Sequence, residues 1–281
     1  MSTEIIEIVG PPGVGKTALY QALCKSRKPG ENWTYQDLLL ANKPRFSNFS
    51  KWIEFRFRKL FKKKLTRSLP IEYGLQFIAN HQKLAGFYWS QLSDEQIYSD
   101  KEIDKRFRSS FFLFTDFCRY GAIMERNSDV PCIINEGLLQ KSFVVQNNSQ
   151  QLPLFISQYL PLLPLPQAII YLNTLNQNVI LERLSTRKKV IASHTGKNRQ
   201  EILDDISKWQ YQFQLMFEWM QGHNVPVYIL DAENPVAKNV SLLKTIFKQQ
   251  EISKNTYTTT GSLKEPPEAA IRIMNAGLSK T

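Results

Sequence analysis

Four short apolar runs, separated by longer stretches with helical spacing, dominate the pattern of hydrophobic and polar positions along the chain. The runs cover residues 4–9, 130–135, 167–172 and 225–230. Each run is mostly apolar with little alternation, which is typical of strands buried on both faces of a parallel sheet. Residues 33–40 fit either a further strand or the start of a helix. The alternation of strands and helices predicts an α/β fold with helices on both faces of a parallel sheet.

The segments between these runs carry apolar residues at three- and four-residue steps, which predicts helices. A long helix is predicted over residues 105–126. Its apolar face is expected to carry Phe111, Phe114, Phe117 and Cys118. Further helices are predicted over residues 178–188, 201–220 and 236–249.

These elements suggest one main domain and a tail. We predict that the domain covers residues 1–250 and contains a helical insert at about 38–111. Residues 251–281 are rich in Lys, Thr, Ser and Pro, so we expect a loosely ordered C-terminal tail.

A glycine-rich segment directly follows the first apolar run. It consists of Gly10, Pro11, Pro12, Gly13, Val14, Gly15, Lys16 and Thr17, followed by Ala18. The segment matches G-x-x-x-x-G-K-[ST] at every position, between a predicted strand and a predicted helix. Glycines let the backbone curl, so that N–H groups and the positive end of the next helix surround a phosphate. In this motif Lys16 reaches the β and γ phosphates and Thr17 offers its hydroxyl to Mg²⁺. The sequence therefore predicts a site for ATP or another nucleoside triphosphate with Mg²⁺.

A carboxylate follows the second apolar run. Asn135 and Glu136 stand at its end, and the carboxyl edge of a parallel sheet faces the ligand crevice. There Glu136 would hold the water shell of Mg²⁺ or accept a proton from an attacking hydroxyl. The alternative is a solvated carboxylate with no part in the site. Asp37 and Asp116 are lesser candidates, and the spacing of Asp116 and Arg119 favours a local ion pair on one helix.

Two arginines four residues apart follow the third apolar run. Arg183 and Arg187 lie on one face of the predicted helix 178–188. Arginines stabilise the negative charge that spreads over a transferring phosphoryl group. We therefore predict that residues 183–200 form a lid that closes over the phosphates. The alternative is a solvated basic helix end, which the helix dipole favours.

Three segments, taken in order, resemble the nucleoside and nucleotide kinases of the P-loop class, the group that includes thymidylate kinase. They are residues 10–17 (GPPGVGKT), 132–137 (CIINEG) and 169–189 (IIYLNTLNQNVILERLSTRKK). The resemblance covers roughly half of the chain, and only the first segment is specific by itself. It implies a three-layer α/β/α P-loop NTPase fold with a mostly parallel five-stranded sheet, and MgATP as the phosphoryl donor.

The resemblance also implies roles for single residues. Lys16, Arg183 and Arg187 would contact phosphates, and Glu136 would be an active-site carboxylate. Thymidylate kinases carry an Asp-Arg pair where this chain has Asn135 and Glu136, and the insert has no counterpart in them. The identity of the acceptor is therefore left open.

The formal net charge of the 281 residues is +11, from 36 basic and 25 acidic residues. Residues 45–67 hold nine of the basic residues and one acid, Glu54, so this segment alone carries a net charge of +8. Its apolar residues form a helical stripe. Such a helix binds an anionic membrane surface or an acidic ligand, or it packs on the core with its lysines in water. Nucleic acid is the less favoured partner.

The start of the chain does not resemble a secretory signal, since Glu4 and Glu7 are present and no basic residue precedes the first apolar run. The apolar stretch 152–172 contains four prolines, which argues against a membrane span. Three cysteines without paired spacing predict reduced thiols. We expect a cytoplasmic protein, with peripheral contact to a membrane through residues 45–67 as the alternative.

The predicted activity is transfer of the γ-phosphoryl group of MgATP to a small-molecule acceptor. The alternative is an ATPase of the AAA+ or regulatory type, in which nucleotide binding and hydrolysis drive a conformational change or the binding of a partner or membrane. A GTP switch is disfavoured because no Asn-Lys-x-Asp sequence occurs. The oligomeric state is left open.

Overall fold

The computed structural model describes residues 2–41, 53, 56–57, 69–94, 103–145, 151–187 and 196–259, and for residues 143–145 and 250–259 it describes the main chain only. Three predicted features lie wholly or partly outside these ranges. They are most of the basic segment 45–67, residues 188–195 of the predicted lid, and residues 260–281 of the predicted tail.

Five strands, ten α-helices and a short 3₁₀ helix at Leu160–Leu162 lie in the described ranges. The strands are β1 (Ile5–Val9), β2 (Thr34–Tyr35), β3 (Cys132–Asn135), β4 (Ala168–Asn173) and β5 (Val227–Asp231). The helices are α1 (Lys16–Ser26), α2 (Gln36–Leu39), α3 (Ile71–Asn80), α4 (Gln82–Ser93), α5 (Ile103–Glu125), α6 (Leu138–Val145), α7 (Leu152–Tyr159), α8 (Gln177–Ser185), α9 (Arg199–Gly222) and α10 (Val236–Thr259).

The strands form one sheet in the order β2-β3-β1-β4-β5, and every pair is parallel. The predicted α/β class and parallel sheet are thus confirmed. Strand β1 lies at the centre, with Ile8 opposite Asn135 of β3 and Val9 opposite Tyr171 of β4. The chain leaves β1 toward β2 on one side of the sheet, whereas it leaves β4 toward β5 on the other side, so the direction of the connections reverses beside β1. Such a reversal opens a crevice at the carboxyl edge of an α/β sheet.

Both faces of the sheet are covered by helices. Ile6 and Ile8 of β1 belong to one buried apolar cluster, whereas Ile5 and Val9 belong to a second. The first cluster includes residues of α1, α8 and α10, and the second includes residues of α3 to α7. This arrangement is consistent with three layers, and it explains why the strands lack a polar face.

The long helix α5 is present as predicted, but its predicted face is partly wrong. Phe111 is 66% exposed, whereas Leu113 and Phe117 are buried. The buried residues of α5 include Leu113, Phe117, Tyr120 and Ile123, which follow one another at steps of three or four. They form a stripe that packs against α3 and the sheet. Phe111 lies off this stripe, which the spacing of aromatic residues alone did not reveal.

Several predicted boundaries shift. Residues 33–40 were predicted as either a strand or a helix start, and they contain both. The two-residue strand β2 leads directly into α2. Helix α8 ends at Ser185, before the predicted end at Lys188. Helix α10 continues to Thr259, ten residues past its predicted end and into the predicted tail.

None of the helices in the described part of the chain is long and apolar enough to cross a membrane. The cytoplasmic location and the membrane contact through residues 45–67 stay predictions.

Candidate functional site

The glycine-rich segment forms a tight loop between the end of β1 and the start of α1. Gly10, Gly13 and Gly15 have φ angles of 155°, 86° and 111°, which L side chains rarely adopt. A Cβ atom on Gly10 would lie 2.2 Å from the carbonyl oxygen of Leu172 in β4. The loop therefore lies directly against the neighbouring strand, and glycine is required for that approach. The start of α1 has no side-chain cap, and the first N–H groups of a helix have no carbonyl oxygen within the helix to accept them.

Helix α8 packs on the outer side of this loop. A Cβ atom on Gly13 would lie 2.6 Å from Cγ of Leu184. Arg183 donates from Nη1 to the carbonyl oxygen of Val14 at 2.7 Å and from Nη2 to that of Ala232 at 2.9 Å. The guanidinium thus connects the loop to the turn after β5. In this conformation Arg183 binds main-chain oxygens, and its predicted contact with phosphate stays a prediction.

Lys16, the first residue of α1, is 4% exposed and turns back over the loop. Its Nζ donates to the carbonyl oxygens of Gly10 at 2.8 Å and Pro11 at 3.1 Å, and lies 3.3 Å from Oε1 of Glu136. Burial lowers the pKa of Lys16, whereas the Glu136 carboxylate raises it by stabilising the ammonium. The structure therefore brings together two predicted site residues that lie 120 positions apart.

Glu136 stands in an unusual backbone conformation at the end of β3. Its φ angle is 59°, in the left-handed region where a non-glycine residue is strained by about 1 kcal/mol or more. The main chain is held on both sides, because its N–H donates to Ile8 at 3.2 Å and its carbonyl accepts from Nη2 of Arg119 at 2.8 Å. These contacts aim the carboxylate, which is 42% exposed, at Lys16.

A group of charged side chains from α5 and α6 surrounds this strand end. Arg119 is 2.5 Å from Oδ1 of Asp116, which confirms the predicted local pair. It also donates to the carbonyl oxygen of Asn135, so its role extends beyond that pair. Nζ of Lys141 lies 3.4 Å from Oδ2 of Asp116. The positive charges of Lys141 and of the exposed Arg187 are close enough to lower the pKa of Lys16.

A buried carboxyl group lies beneath the site. Glu7, in the middle of β1, accepts hydrogen bonds from Tyr120 Oη at 3.1 Å, from Leu139 N at 3.3 Å and from Gln140 N at 3.0 Å. A Cβ atom on Gly137 would lie 2.6 Å from Cδ of Glu7, so position 137 has no room for a side chain. The carboxyl group therefore caps the start of α6 from inside the core.

Burial raises the pKa of Glu7 to about 7, and the hydrogen bonds from α6 and Tyr120 and the charge of Arg119 lower it from the still higher value that burial alone would cause. Tyr88 and Tyr159 also lie near Glu7, and burial raises the pKa of each of these tyrosines. Glu7 is thus the group of this network that titrates close to neutral pH.

Helix α6 connects this network to the loop. Oε1 of the buried Gln140 accepts a hydrogen bond from Gly10 N at 3.1 Å. Sequence reasoning did not identify Gln140, Lys141, Arg119 or Glu7 as site residues. One signal was present, because a glutamate in the middle of an apolar β-branched run must be buried with donors around it.

The remaining predicted residues surround the start of α1. Thr17 and Ala18 are exposed on its first turn, and Pro12 lies on the loop between Gly10 and Gly13. Within the described ranges, no group of three or more His, Cys, Asp and Glu side chains is placed to hold a metal ion. The magnesium ligands Thr17 and Glu136 stay predictions.

No model of a known protein family matches this chain, and no curated protein matches it either. The fold and the site together define an α/β protein with a five-stranded parallel sheet and a glycine-rich loop at the carboxyl edge of its central strand.

Proposed function

We propose that this protein is a P-loop phosphotransferase that binds MgATP at residues 10–18 and transfers the γ-phosphoryl group to a small-molecule acceptor. The observation that carries the proposal is the contact of Lys16 and Glu136 at the mouth of the glycine-rich loop. The full loop motif, its position between β1 and α1, and the reversal of strand order beside β1 support the same function.

The charges around the loop suit a polyphosphate. Lys16, Lys141 and Arg187 lie near the positive end of α1, and among the described residues Glu136 is the one carboxylate that forms an ion pair with the Lys16 ammonium. A triphosphate would replace the carbonyl oxygens of Gly10 and Pro11 as the partner of Lys16. The exchange is favourable because an ammonium binds a phosphate oxygen more strongly than it binds a neutral carbonyl.

The carboxylate of Glu136 supplies the base. When the acceptor oxygen attacks the γ-phosphorus, its proton passes to Glu136 while the bond to the β–γ bridging oxygen breaks and ADP leaves. Thr17 would bind the Mg²⁺ that accompanies the nucleotide and neutralises phosphate charge, and Glu136 would contact this ion only through its water shell, which leaves the carboxylate able to act as the base. Arg183 holds the loop against the turn after β5, and the charge of Arg187 acts on Lys16 from the end of α8.

Isothermal titration calorimetry of MgATP into the purified chain tests the binding step. We expect Lys16→Met to abolish binding, because the ammonium that bridges the phosphates is lost. Lys25→Met is the matched control, since Lys25 is an exposed lysine on the same helix. Absence of binding to the unaltered, folded protein would contradict the proposal.

The transfer step needs a second assay. ADP release is measured with and without panels of nucleosides, nucleotides, sugars and lipid head groups. We expect one acceptor class to increase ADP release and to gain a phosphoryl group, and Glu136→Gln to abolish both. Slow ADP release that no acceptor increases would favour the ATPase alternative.

A further inference from the structure

The first residue of the loop is held by two side chains, one on each of its main-chain polar groups. Lys16 Nζ donates to the carbonyl oxygen of Gly10, and Gly10 N donates to Oε1 of Gln140. A bound phosphate would draw Lys16 away from that carbonyl, whereas Gln140 lies on α6 and binds the N–H group of the residue. The contact with Gln140 is therefore the one that can persist when nucleotide is bound.

Gln140 is itself held from the core. Its main-chain N–H donates to Oε1 of Glu7, which lies on β1 three residues before Gly10. Its side chain is 8% exposed, so the hydrogen bond to Gly10 lies in a region from which water is largely excluded. If the amide of Gly10 lost this acceptor while it stayed buried, the protein would be destabilised. The loop would otherwise have to change its conformation to find another partner for that amide. Glu7, Gln140 and Gly10 thus form a closed connection between β1, α6 and the loop.

We infer that Gln140, held in place by Glu7, is a positioning residue that keeps the first turn of the glycine-rich loop in its nucleotide-binding conformation. This inference rests on the proposed function. The amide oxygen of Gln140 accepts from Gly10 N, so through this atom Gln140 would act on the phosphates by way of the loop.

The alternative is that Gln140 only helps to pack α6 in the core and has no effect on the loop. A second buried glutamine that contacts α6 provides the control for this alternative. Gln212 on α9 is fully buried, and its Nε2 donates to Oγ of Ser142 on α6 at 2.9 Å. Gln140→Met removes a buried amide that belongs to α6, and Gln212→Met removes a buried amide that contacts α6. Only Gln140→Met removes a contact with the loop.

The affinity for MgATP is measured by calorimetry, and stability by urea unfolding. We expect Gln140→Met to weaken MgATP binding about tenfold, the equivalent of one lost hydrogen bond. Both variants are expected to lower the free energy of unfolding by a similar amount, because each loses one buried amide. Gln212→Met is expected to change the affinity for MgATP less than about twofold. Equal affinity in Gln140→Met and the unaltered protein would overturn the inference, and so would an equal loss in both variants.

A spectroscopic measurement keeps the test independent of nucleotide binding. Only two Val-Gly pairs occur in the chain, Val9-Gly10 and Val14-Gly15. Labelling with ¹³C-carbonyl valine and ¹⁵N-glycine therefore selects the amides of Gly10 and Gly15. We expect the Gly10 amide of the unaltered protein to exchange slowly with solvent, and in Gln140→Met to shift upfield and exchange faster while Gly15 stays nearly unchanged.

The two measurements distinguish a failure of the proposed function from a failure of the positioning role of Gln140. If the unaltered protein does not bind MgATP, the proposed function fails, and the amide measurement still reports whether Gln140 holds Gly10. If MgATP binds but the Gly10 amide exchanges rapidly in the unaltered protein, the positioning role is overturned, even if Gln140→Met does not fold.

Discussion

The buried carboxyl of Glu7 makes a quantitative prediction about the pH dependence of stability. Its pKa rises from 4.5 to about 7 on folding, because burial penalises the charged form. The folded protein therefore binds this proton more tightly than the unfolded chain does. Stability from this source is fully present below pH 4.5 and is lost as the pH rises through about 7.

The magnitude follows from the size of the pKa change. Each pKa unit is equivalent to about 1.4 kcal/mol, so the whole change amounts to roughly 3 kcal/mol, of which about 2.5 kcal/mol is lost between pH 5 and pH 8. The three tyrosines near Glu7 do not titrate in this range. Tyr88, Tyr120 and Tyr159 stay neutral because burial raises the pKa of each tyrosine.

Glu7→Gln removes the titrating group and keeps a side chain of similar shape. The free energy of unfolding is measured by urea denaturation at pH 5 and pH 8 for both proteins. We expect the decrease between the two pH values to be about 2.5 kcal/mol smaller in Glu7→Gln. Glu4→Gln is the control, since Glu4 is exposed just before the same strand. An unchanged pH dependence in Glu7→Gln would refute the burial of a proton at this site.

Three further predictions concern the loop and its supports. Gly13→Ala should destabilise the protein by about 1–3 kcal/mol more than Gly30→Ala, because both glycines have positive φ but only a Cβ atom at position 13 meets Leu184. Arg183→Met should weaken MgATP binding and also lower the melting temperature, since the contacts with Val14 and Ala232 are lost. Asn198→Ala should cost about 1 kcal/mol in urea unfolding by removing the capping box of α9, with MgATP affinity unchanged.

Each of these expectations has an outcome that contradicts it. Equal unfolding free energies for the two glycine variants would mean that α8 does not pack on the loop. An unchanged melting temperature in Arg183→Met would show that its contacts with Val14 and Ala232 do not stabilise the protein without nucleotide. That result would favour the predicted role of Arg183 in a lid. A changed affinity in Asn198→Ala would show that the start of α9 reaches the nucleotide site.

Much of the fold was predictable because the signals are local. Four of the five strands were recognised from short apolar runs, whereas the sequence at β2 fits either a strand or a helix start, and Asn234-Pro235 marked the start of α10 correctly. The residues that pack α5 were only partly predicted. Aromatic spacing placed Phe111 inside, but the face that is buried depends on where α3 crosses the helix, and the sequence of α5 does not contain that information.

The candidate site divides in the same way. The loop, Lys16 and Glu136 were predicted from contiguous motifs and strand ends, and the structure brings Lys16 and Glu136 into contact. Arg183 was predicted as a phosphate contact from its spacing to Arg187, yet its guanidinium binds Val14 and Ala232. Helical spacing indicates which residues share a face, but the groups that this face meets depend on distant parts of the chain.

The amino-acid sequence by itself determined the parallel α/β architecture and the glycine-rich loop, because backbone conformation, burial pattern and helix starts depend on neighbours within a few residues. Only the tertiary structure decided which side chains support that loop. Gln140 is 130 residues from Gly10, and Arg119 meets the main chain of Glu136 across the end of a strand. These contacts exist because β3 pairs with β1 and carries α6 to the edge of the loop, and a hydrogen bond forms between groups that the fold brings within about 3 Å, whatever their separation along the chain.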